Sequence, residues 1–367
     1  MNSGKTPGSE ARTLIATTGE EIILPFPVPQ DTNGTAPKAN GVTEDMPKEK
    51  IDEGSVASLS QQTETAKVKS SVIHIKEYLG SRDGKTIGIA RGEMRRLFLE
   101  GCENYIIWAK NVTGYETTAN GVVALFSDGT KSIEGEMLIG GEGIHSKIAK
   151  QVSGGKLKVY DTGSRAIQGQ APTTAFKELG EGVWRIVDES DPNGRVFAMA
   201  NVRPNELNDP TATFGWTMGG TGIIDVPGND FSITGKPAAD VARKLTRNWA
   251  PKIRATIDAM IEEDTIFWKI TCSTPSGVPT WENEKRVTVI GDAVHSMTPA
   301  GGNGANTAVR DSELLGRLIV EAGGYTDGVT AEYEKQMRAY GSEAVRVCYA
   351  HSAAFGIVID EETTPFI

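Results

Sequence analysis

The pattern of apolar and polar positions predicts regular secondary structure from residue 91 onwards. Apolar residues at the spacings i, i+3, i+4, i+7 and i+8 form one face of an amphipathic helix. After Arg91 this spacing is met by Met94, Leu97, Phe98, Gly101 and Cys102. The next apolar run, residues 105–108, predicts a buried strand.

Two turn signals then predict a three-stranded meander. Asn120-Gly121 and Asp128-Gly129 are dipeptides typical of tight hairpin turns, because their residues tolerate positive φ. The apolar run Val122–Phe126 separates them. A short, fully buried strand is predicted over residues 137–140.

The middle of the chain changes to longer β segments followed by two helices. Alternating or continuous apolar runs predict strands over residues 183–187, 196–202, 211–218 and 265–272. Helical spacing predicts helices over residues 238–249 and 251–263. A further buried strand, residues 286–290, leads through a glycine-rich turn into a helix over residues 304–322. The fold class predicted from this order is α/β with an α+β insert.

Composition excludes several classes of protein. The 367 residues carry a net charge of −10, which argues against a nucleic-acid partner because such proteins usually present a basic surface. The three cysteines are far apart and the four histidines form no HxH or HExxH pattern, so neither a disulfide scaffold nor a metal site is predicted. No stretch approaches the roughly 18 apolar residues of a membrane span, and no signal peptide is recognisable. We therefore expect a cytoplasmic protein without a membrane span.

The segment 286–311, RVTVIGDAVHSMTPAGGNGANTAVRD, holds the most informative chemistry. Gly291 lets the chain turn away from the strand, and Asp292 places a carboxylate where a ligand hydroxyl could donate to it. Pro299 stiffens the loop, and the glycines after it allow close approach of the backbone. The N–H groups at the start of the following helix attract electron-rich ligands. His295 is interpreted as a residue that orients the loop.

This segment resembles the second FAD-binding motif of the flavin-dependent monooxygenases of the para-hydroxybenzoate and salicylate hydroxylase type, GDAAHxxxPxxGxGxNxxxxD. Residues 138–146, LIGGEGIHS, are similar to the family's LLVGADGxxS motif, which is associated there with FAD and NAD(P)H. Arg91 matches the arginine of its R-x-x-L pattern. The resemblance extends over residues 85–350.

The resemblance implies a Rossmann-like FAD/NAD(P)-binding domain combined with a mixed-sheet substrate domain. It implies that FAD and NAD(P)H serve as cofactors and that a hydrophobic or aromatic small molecule of secondary metabolism is oxygenated with O₂. The cofactor-binding residues that it implies are Arg91, Glu142, Asp292, Pro299, Gly302, Gly304, Ala305 and Asn306.

Five segments follow from the resemblance and from the shifts in composition. Residues 1–70, rich in Thr, Ser, Gly, Pro, Lys and Glu, are expected to be a largely disordered tail. The others are a first FAD-binding part over 71–154, a substrate domain over 155–280, a second FAD-binding part over 281–350 and a C-terminal tail over 351–367.

The sequence also departs from the family pattern. It contains no GxGxxG unit to hold a pyrophosphate, so the FAD domain is expected to be incomplete at its N-terminus; residues 14–19 are the nearest approach to that unit. Glu142 replaces the usual aspartate, and Ala149 replaces an arginine.

On the substrate side, Gln168-Gly169 stands where many relatives have an Arg-Gly pair. Arg165, three residues earlier, is the one weak candidate for a catalytic residue. A second hypothesis therefore stays open: a truncated non-redox remnant without a functional FAD site, acting as a binding protein, a partner-completed subunit, or an isomerase or cyclase.

Overall fold

The computed structural model describes residues 12–22, 91–192, 194–203, 206–222 and 230–367. The chain divides into two units, one of Met1–Pro29 with Val112–Ile367 and the other of Gln30–Asn111. Each unit is described separately below.

In the described part of the smaller unit, the helix predicted after Arg91 is confirmed as α1 (Arg91–Leu99), although none of its residues is buried. The buried strand predicted over residues 105–108 is wrong. Tyr105 ends a 3-10 turn, and Tyr105 and Trp108 are 86% and 62% exposed. Arg95 lies 5.3 Å from the Trp108 ring centroid, so this apolar run forms a surface cation–π contact and no sheet.

Twelve strands occur in the described part of the larger unit. They are β1 (Arg12–Ile15), β2 (Glu21–Ile22), β3 (Val112–Thr117), β4 (Val122–Phe126), β5 (Leu138–Gly140), β6 (Val159–Pro172), β7 (Gly182–Asp188), β8 (Val196–Val202), β9 (Thr213–Thr221), β10 (Ser232–Thr234), β11 (Ile266–Ser273) and β12 (Val287–Val289). Eight form one mixed sheet in the order β10-β11-β6-β9-β8-β7-β1-β2. The α/β class with a large mixed sheet is thereby confirmed.

Six helices accompany these strands in the described part of the same unit. They are α2 (Lys147–Val152), α3 (Lys236–Thr246), α4 (Pro251–Asp258), α5 (Asp292–His295), α6 (Gly304–Glu321) and α7 (Val329–Ser352). The predicted starts of α4 and α6 are confirmed. The predicted end of α4 is wrong, because the helix stops at Asp258 and residues 262–264 form a separate 3-10 turn.

Helices α3 and α4 cover one face of the eight-stranded sheet. Along β9, Phe214, Trp216 and Met218 point into this core and are at most 2% exposed. Side chains alternate along a strand, so Gly215 and Thr217 belong to the opposite face. That second face is where the candidate site lies.

Residues 12–22, which lie within the predicted N-terminal tail, form two strands of the large sheet. Strand β1 pairs in parallel with β7, with Arg12 opposite Trp184, and antiparallel with β2. Leu14 and Ala16 are buried in the core of the large sheet. Residues 14–19, the nearest approach to a dinucleotide fingerprint, are therefore a strand and a turn of that sheet. Residues 23–70 lie outside the described residues.

A second core lies around β12, which pairs in parallel with β5. Val287 and Val289 are fully buried against α6 and α7, together with Tyr333 and Met337. The full burial predicted for β5 is wrong, because Ile139 is 42% exposed; β12 is the only partner of β5 among the described strands.

The meander predicted around the two turn dipeptides is partly confirmed. Strands β3 and β4 pair antiparallel across the Asn120-Gly121 turn. Instead of a third strand, the chain after Gly129 makes only the single bridges of Leu125 with Lys131 and of Val122 with Gly135.

The residues after α7 pack against the sheet, since Ile357 and Ile359 are at most 9% exposed. Asp161 of β6 donates its backbone N–H to the Pro365 carbonyl. The five segment boundaries stay a prediction. Among the described residues, no helix has the length and apolar character needed to cross a membrane.

Gly169 of β6 provides a test of the sheet packing. A Cβ at this position would lie 2.3 Å from Cζ2 of the buried Trp216. We expect Gly169→Ala to lower the free energy of unfolding by about 1–3 kcal/mol, the usual cost of overpacking, in urea titrations. In the control Gly215→Ala, the nearest heavy atom to the new Cβ would be 3.8 Å away. Equal stability of the two variants would contradict this packing.

Candidate active site

The loop between β12 and α6 has the predicted order of strand, turn, glycine-rich loop and helix. The chain leaves β12 through Gly291, at φ +62°, and forms the short helix α5. A 3-10 turn over Pro299–Gly301 ends at Gly302, at φ +65°, and α6 then starts at Gly304. Both glycines have a positive φ, which other residues adopt only with strain.

A buried carboxylate holds this loop in place. Asp311 of α6 is fully buried, and its Oδ2 accepts hydrogen bonds from the Gly291 backbone N–H and from His295 Nε2, both at 2.7 Å. Its Oδ1 accepts a hydrogen bond from the Tyr340 hydroxyl at 2.5 Å. The charge is compensated because three donors converge on it. His295 therefore orients the loop, as the sequence predicted.

Two tyrosines of α7 act as donors in the same region. Tyr340 donates to Asp311, and Tyr333 donates to the Val289 carbonyl at 3.1 Å. Burial, followed by the charge of Asp311, raises the pKa of each phenol. Both hydroxyls stay protonated across the physiological range, so both tyrosines remain hydrogen-bond donors to α6 and β12 there.

A cysteine thiol supports the loop from the side of α7. The Cys348 thiol donates a hydrogen bond to Met297 Sδ at 3.4 Å. A Cβ at Gly301 would lie 2.5 Å from the Cys348 sulfur, so this position requires glycine. Thr298 Oγ1 donates to the Cys348 carbonyl at 2.9 Å.

The outer side of the loop is accessible. Asp292, Pro299, Gly302, Ala305 and Asn306 are exposed, and Gly304 is half-buried. Asp292 has no hydrogen-bond partner among the described residues, and a Cβ at Gly302 would meet no atom within 4 Å. Six of the predicted cofactor-binding residues thus lie between the start of α5 and the first turn of α6, and five of them are exposed.

Glu142 is engaged elsewhere in the same unit. Its carboxylate accepts hydrogen bonds from Ser146 Oγ at 2.7 Å and from the Ile148 backbone N–H at 3.2 Å. Ser146 Oγ in turn accepts from the Ala149 N–H. Glu142 therefore helps to cap α2. Arg91 belongs to the smaller unit, where it starts α1.

Arg165 lies on β6 but does not line the cavity described next. Its guanidinium donates to Asp161 Oδ1 at 2.7 Å, and Lys269 lies 3.8 Å from the other oxygen of that carboxylate. Ser164 and Ala166 on either side of it do line the cavity, so Arg165 leaves the opposite face of the strand. No contact of Arg165 with the described residues assigns it a catalytic role.

A cavity of about 430 Å³ lies between the glycine-rich loop and the open face of the large sheet. Its walls come from β6, β8 and β9, from Thr298–Ala300 of the loop, and from Phe355 and Ile357 after α7. Concave, mostly apolar sites of this size are typical of small-molecule binding. The loop predicted to hold a cofactor therefore forms one wall of a pocket large enough for a substrate.

Sequence reasoning missed this cavity, although a signal for it exists. In TFGWTMGGT, the segment of β9, large residues alternate with Gly, Thr and Gly at positions 215, 217 and 219. Small residues on one face of a strand indicate close approach of another group. Spacing along the sequence does not show that Tyr340 and the Gly291 turn contact Asp311.

The chain also matches known proteins. Residues 99–347 match the family described as FAD binding domain, which is more than half of the chain. The chain therefore belongs to that family.

Two curated relatives illustrate the match. A dual O-methyltransferase/FAD-dependent monooxygenase of Cercospora beticola is 28% identical over 284 residues, 69% of this chain and 32% of that protein. The 6-hydroxynicotinate 3-monooxygenase of Pseudomonas fluorescens is 25% identical over 283 residues, 75% of this chain and 67% of that protein. The chain spans about a third of the length of the dual-function relatives.

Solved structures show the same fold. A protein described as an FAD-containing monooxygenase from Photorhabdus luminescens has a TM-score of 0.58 and 26% identity, with 74% of this chain and 75% of that chain covered. HpxO of Klebsiella pneumoniae, solved with FAD and uric acid, has a TM-score of 0.55 and 23% identity, with 73% and 64% covered.

The Asp311 contacts can be tested by one substitution. We expect Asp311→Asn to lower the free energy of unfolding by about 3 kcal/mol, because it leaves a buried donor unpaired. Urea titration followed by circular dichroism measures the change. Asp327→Asn removes an exposed carboxylate paired with Lys285 and should leave stability nearly unchanged. An Asp311 variant as stable as this control would disprove the structural role.

Thiol reactivity tests the burial of Cys348, the cysteine of α7 that packs against the loop. Burial raises the pKa of Cys272 to about 12 and also raises that of Cys348, whereas Cys102 is exposed. At pH 8 the two buried groups are neutral thiols, and the thiolate is the reactive form. We expect Ellman's reagent to modify one thiol in the native protein, none in Cys102→Ser, and three in wild type with urea. Rapid modification of a second native thiol would contradict this burial.

Proposed function

We propose that this protein is an FAD-dependent monooxygenase that uses NAD(P)H and O₂ to oxygenate a hydrophobic or aromatic small molecule. One observation carries the proposal: the glycine-rich loop that resembles a flavin motif also forms a wall of the 430 Å³ cavity. A cofactor held by that loop would therefore be adjacent to a substrate in the cavity. The two curated relatives named above support it, because one is called an O-methyltransferase/FAD-dependent monooxygenase and the other a 3-monooxygenase.

The loop residues fit the flavin and ribityl part of FAD. The exposed Asp292 carboxylate can accept a hydrogen bond from a ribityl hydroxyl, since no described residue occupies it. The first N–H groups of a helix have no partner within the helix, so those of Gly304, Ala305 and Asn306 can donate to electron-rich atoms. Gly302, with nothing within 4 Å of its Cβ position, allows the backbone to approach the ligand closely.

The sequence contains no GxGxxG unit, so the adenosine and pyrophosphate part of FAD would have to be held by other residues. Arg91 is proposed to contact FAD, as the resemblance implies. The role of Glu142 as a direct FAD ligand receives no support from its geometry, since it caps α2. We propose that Glu142 acts by fixing the turn before α2.

Bound FAD, once reduced by NAD(P)H, would supply the activation of O₂. The protein would supply the position and the electrostatic environment of the reacting groups. The start of α6 favours negative charge near it by about 0.3–2 kcal/mol. Pro299 and the Asp311 contacts keep that helix start in a fixed orientation. The mostly apolar walls of the cavity favour binding of a hydrophobic substrate.

The cytoplasmic location and use in secondary metabolism are proposals that rest on the sequence. Fractionation of cells that produce the protein, and comparison of metabolites after deletion of its gene, would test each of them.

The function is tested by adding excess FAD to the purified chain, removing free FAD, and recording the visible spectrum. A retained, shifted flavin spectrum, NAD(P)H oxidation, and a product heavier by one oxygen atom are expected. A folded protein that stays colourless would refute the proposal and favour the non-redox alternative.

Asp292→Ala tests the site itself. We expect FAD affinity to fall about tenfold, the effect of losing a hydrogen bond to a charged group worth roughly 1.5–3 kcal/mol, as measured by flavin fluorescence quenching. Asp230→Ala removes an exposed carboxylate outside the loop and should leave affinity unchanged. Equal affinity of the two variants would remove Asp292 from the binding site.

A further inference from the structure

A second, smaller pocket lies beside α2. It has a volume of about 150 Å³, and its walls come from α2, from the start of β6 and from residues 366–367. Ala293 of α5, which follows Asp292 of the glycine-rich loop, also lines it. An engineered cavity of about this volume holds benzene, so the pocket accepts a phosphate or a diphosphate but is too small for a flavin ring system.

Basic residues line this pocket, and no acidic residue does. Lys147 and Lys150 of α2 and Lys158, just before β6, all belong to its walls, and these three residues define the lysine pocket. The surrounding sequence, residues 143–160, contains four lysines and no Asp or Glu, although the whole chain carries a net charge of −10. A cleft with charges of one sign concentrates the electric field and attracts ions of the opposite sign, so this pocket favours anions.

The ammonium groups of the lysine pocket are available to a ligand. No carboxylate among the described residues lies within ion-pair distance of Lys147, Lys150 or Lys158. Glu142, close by in the chain, is engaged at the start of α2, and Asp161 pairs with two other cations. An anion entering the pocket would therefore meet positive charge that no side chain of these residues compensates.

An aromatic ring lies next to these lysines. Phe366 is 61% exposed, and its ring centroid lies 5.1 Å from Lys158 Nζ. Tyr160 contacts the same ring edge to face, with the two centroids 6.4 Å apart. An ammonium group has three donors, so Lys158 can contact the ring and still donate to a phosphate. Bases stack on exposed aromatic rings, so the lysines and the ring together fit a nucleotide better than inorganic phosphate.

We propose that the lysine pocket binds the diphosphate of a nucleotide whose base lies against Phe366. Lysine suits this role because its ammonium group is a compact charge on a flexible stem. The inference rests on the proposed function in one respect, since the nucleotide is then the ADP part of FAD or of NAD(P)H. The proposed flavoprotein needs such a site because its sequence contains no GxGxxG unit, and Ala293 joins the pocket to the loop proposed to hold the flavin.

The test measures binding of ADP, AMP and adenosine by isothermal titration calorimetry at pH 7.5 and low salt, where charge interactions are least screened. We expect ADP to bind about tenfold more tightly than adenosine, with AMP between them. The double variant Lys147→Gln/Lys150→Gln should lower ADP affinity by about tenfold, because it removes charge-assisted contacts to the phosphates. The variant Lys147→Arg/Lys150→Arg keeps the charge and should retain most of the affinity.

A matched control removes the same charge elsewhere. Lys177 and Lys244 are exposed, lie outside the pocket and have no ion-pair partner in the described part of the chain. Lys177→Gln/Lys244→Gln should therefore bind ADP as the wild type does. ADP binding no tighter than that of adenosine, or equal ADP affinity in the two Gln variants, overturns the proposal.

Phe366→Leu tests the position of the base. We expect it to weaken ADP binding about fivefold, because a stacked base loses its ring, and to leave the binding of inorganic pyrophosphate unchanged. ADP affinity equal to that of the wild type overturns the placement of the base against Phe366.

Two further ligands show which dinucleotide supplies the diphosphate. If it belongs to FAD, Lys147→Gln/Lys150→Gln should weaken FAD binding about tenfold and leave riboflavin binding unchanged, as measured by flavin fluorescence. If it belongs to NAD(P)H, the same variant should weaken binding of NADP⁺ in calorimetry and leave FAD binding unchanged. An effect on ADP alone assigns the pocket to a free nucleotide.

The outcomes separate this inference from the proposed function. A protein that binds ADP through Lys147 and Lys150 but retains no flavin would refute the monooxygenase and leave the nucleotide site standing. A flavoprotein whose affinity for ADP does not depend on these lysines would do the reverse.

Discussion

The geometry of the candidate site depends on one buried carboxylate. Asp311 of α6 brings together the N–H of Gly291 and the His295 ring, at the two ends of α5, and the Tyr340 hydroxyl of α7. A buried charge is tolerated only when donors replace the water that it loses. The fixed charge therefore requires α5, α6 and α7 to meet in one arrangement, and the position of the loop follows from that arrangement.

The large sheet serves both the core and the cavity, because side chains alternate between its two faces along each strand. Phe214, Trp216 and Met218 form the core with α3 and α4, while the residues between them leave space on the other face. Strands that are buried on one face usually present polar residues to solvent on the other. Here small residues take their place over part of that face, and the cavity results.

Local signals in the sequence predicted much of this structure. The strand, loop and helix over residues 287–321 and the hairpin at Asn120-Gly121 depend on neighbouring residues, and they were found correctly. The pairing of β1 with β7, the contact of Tyr340 with Asp311 and the exposure of Trp108 depend on residues far apart in the chain. Periodicity contains no information about such contacts. For the same reason the cavity was missed and Arg165 could not be placed on a face of its strand.

The parallel pairing of Arg12 with Trp184 also affects how the chain folds during synthesis. Strand β1 leaves the ribosome long before β7 has been synthesised. Leu14 and its neighbours therefore stay unpaired during that interval. Contacts between such distant segments form slowly, because a long loop has to close first. An unpaired apolar strand in that interval is exposed to aggregation, and chaperones that hold nascent chains would protect it.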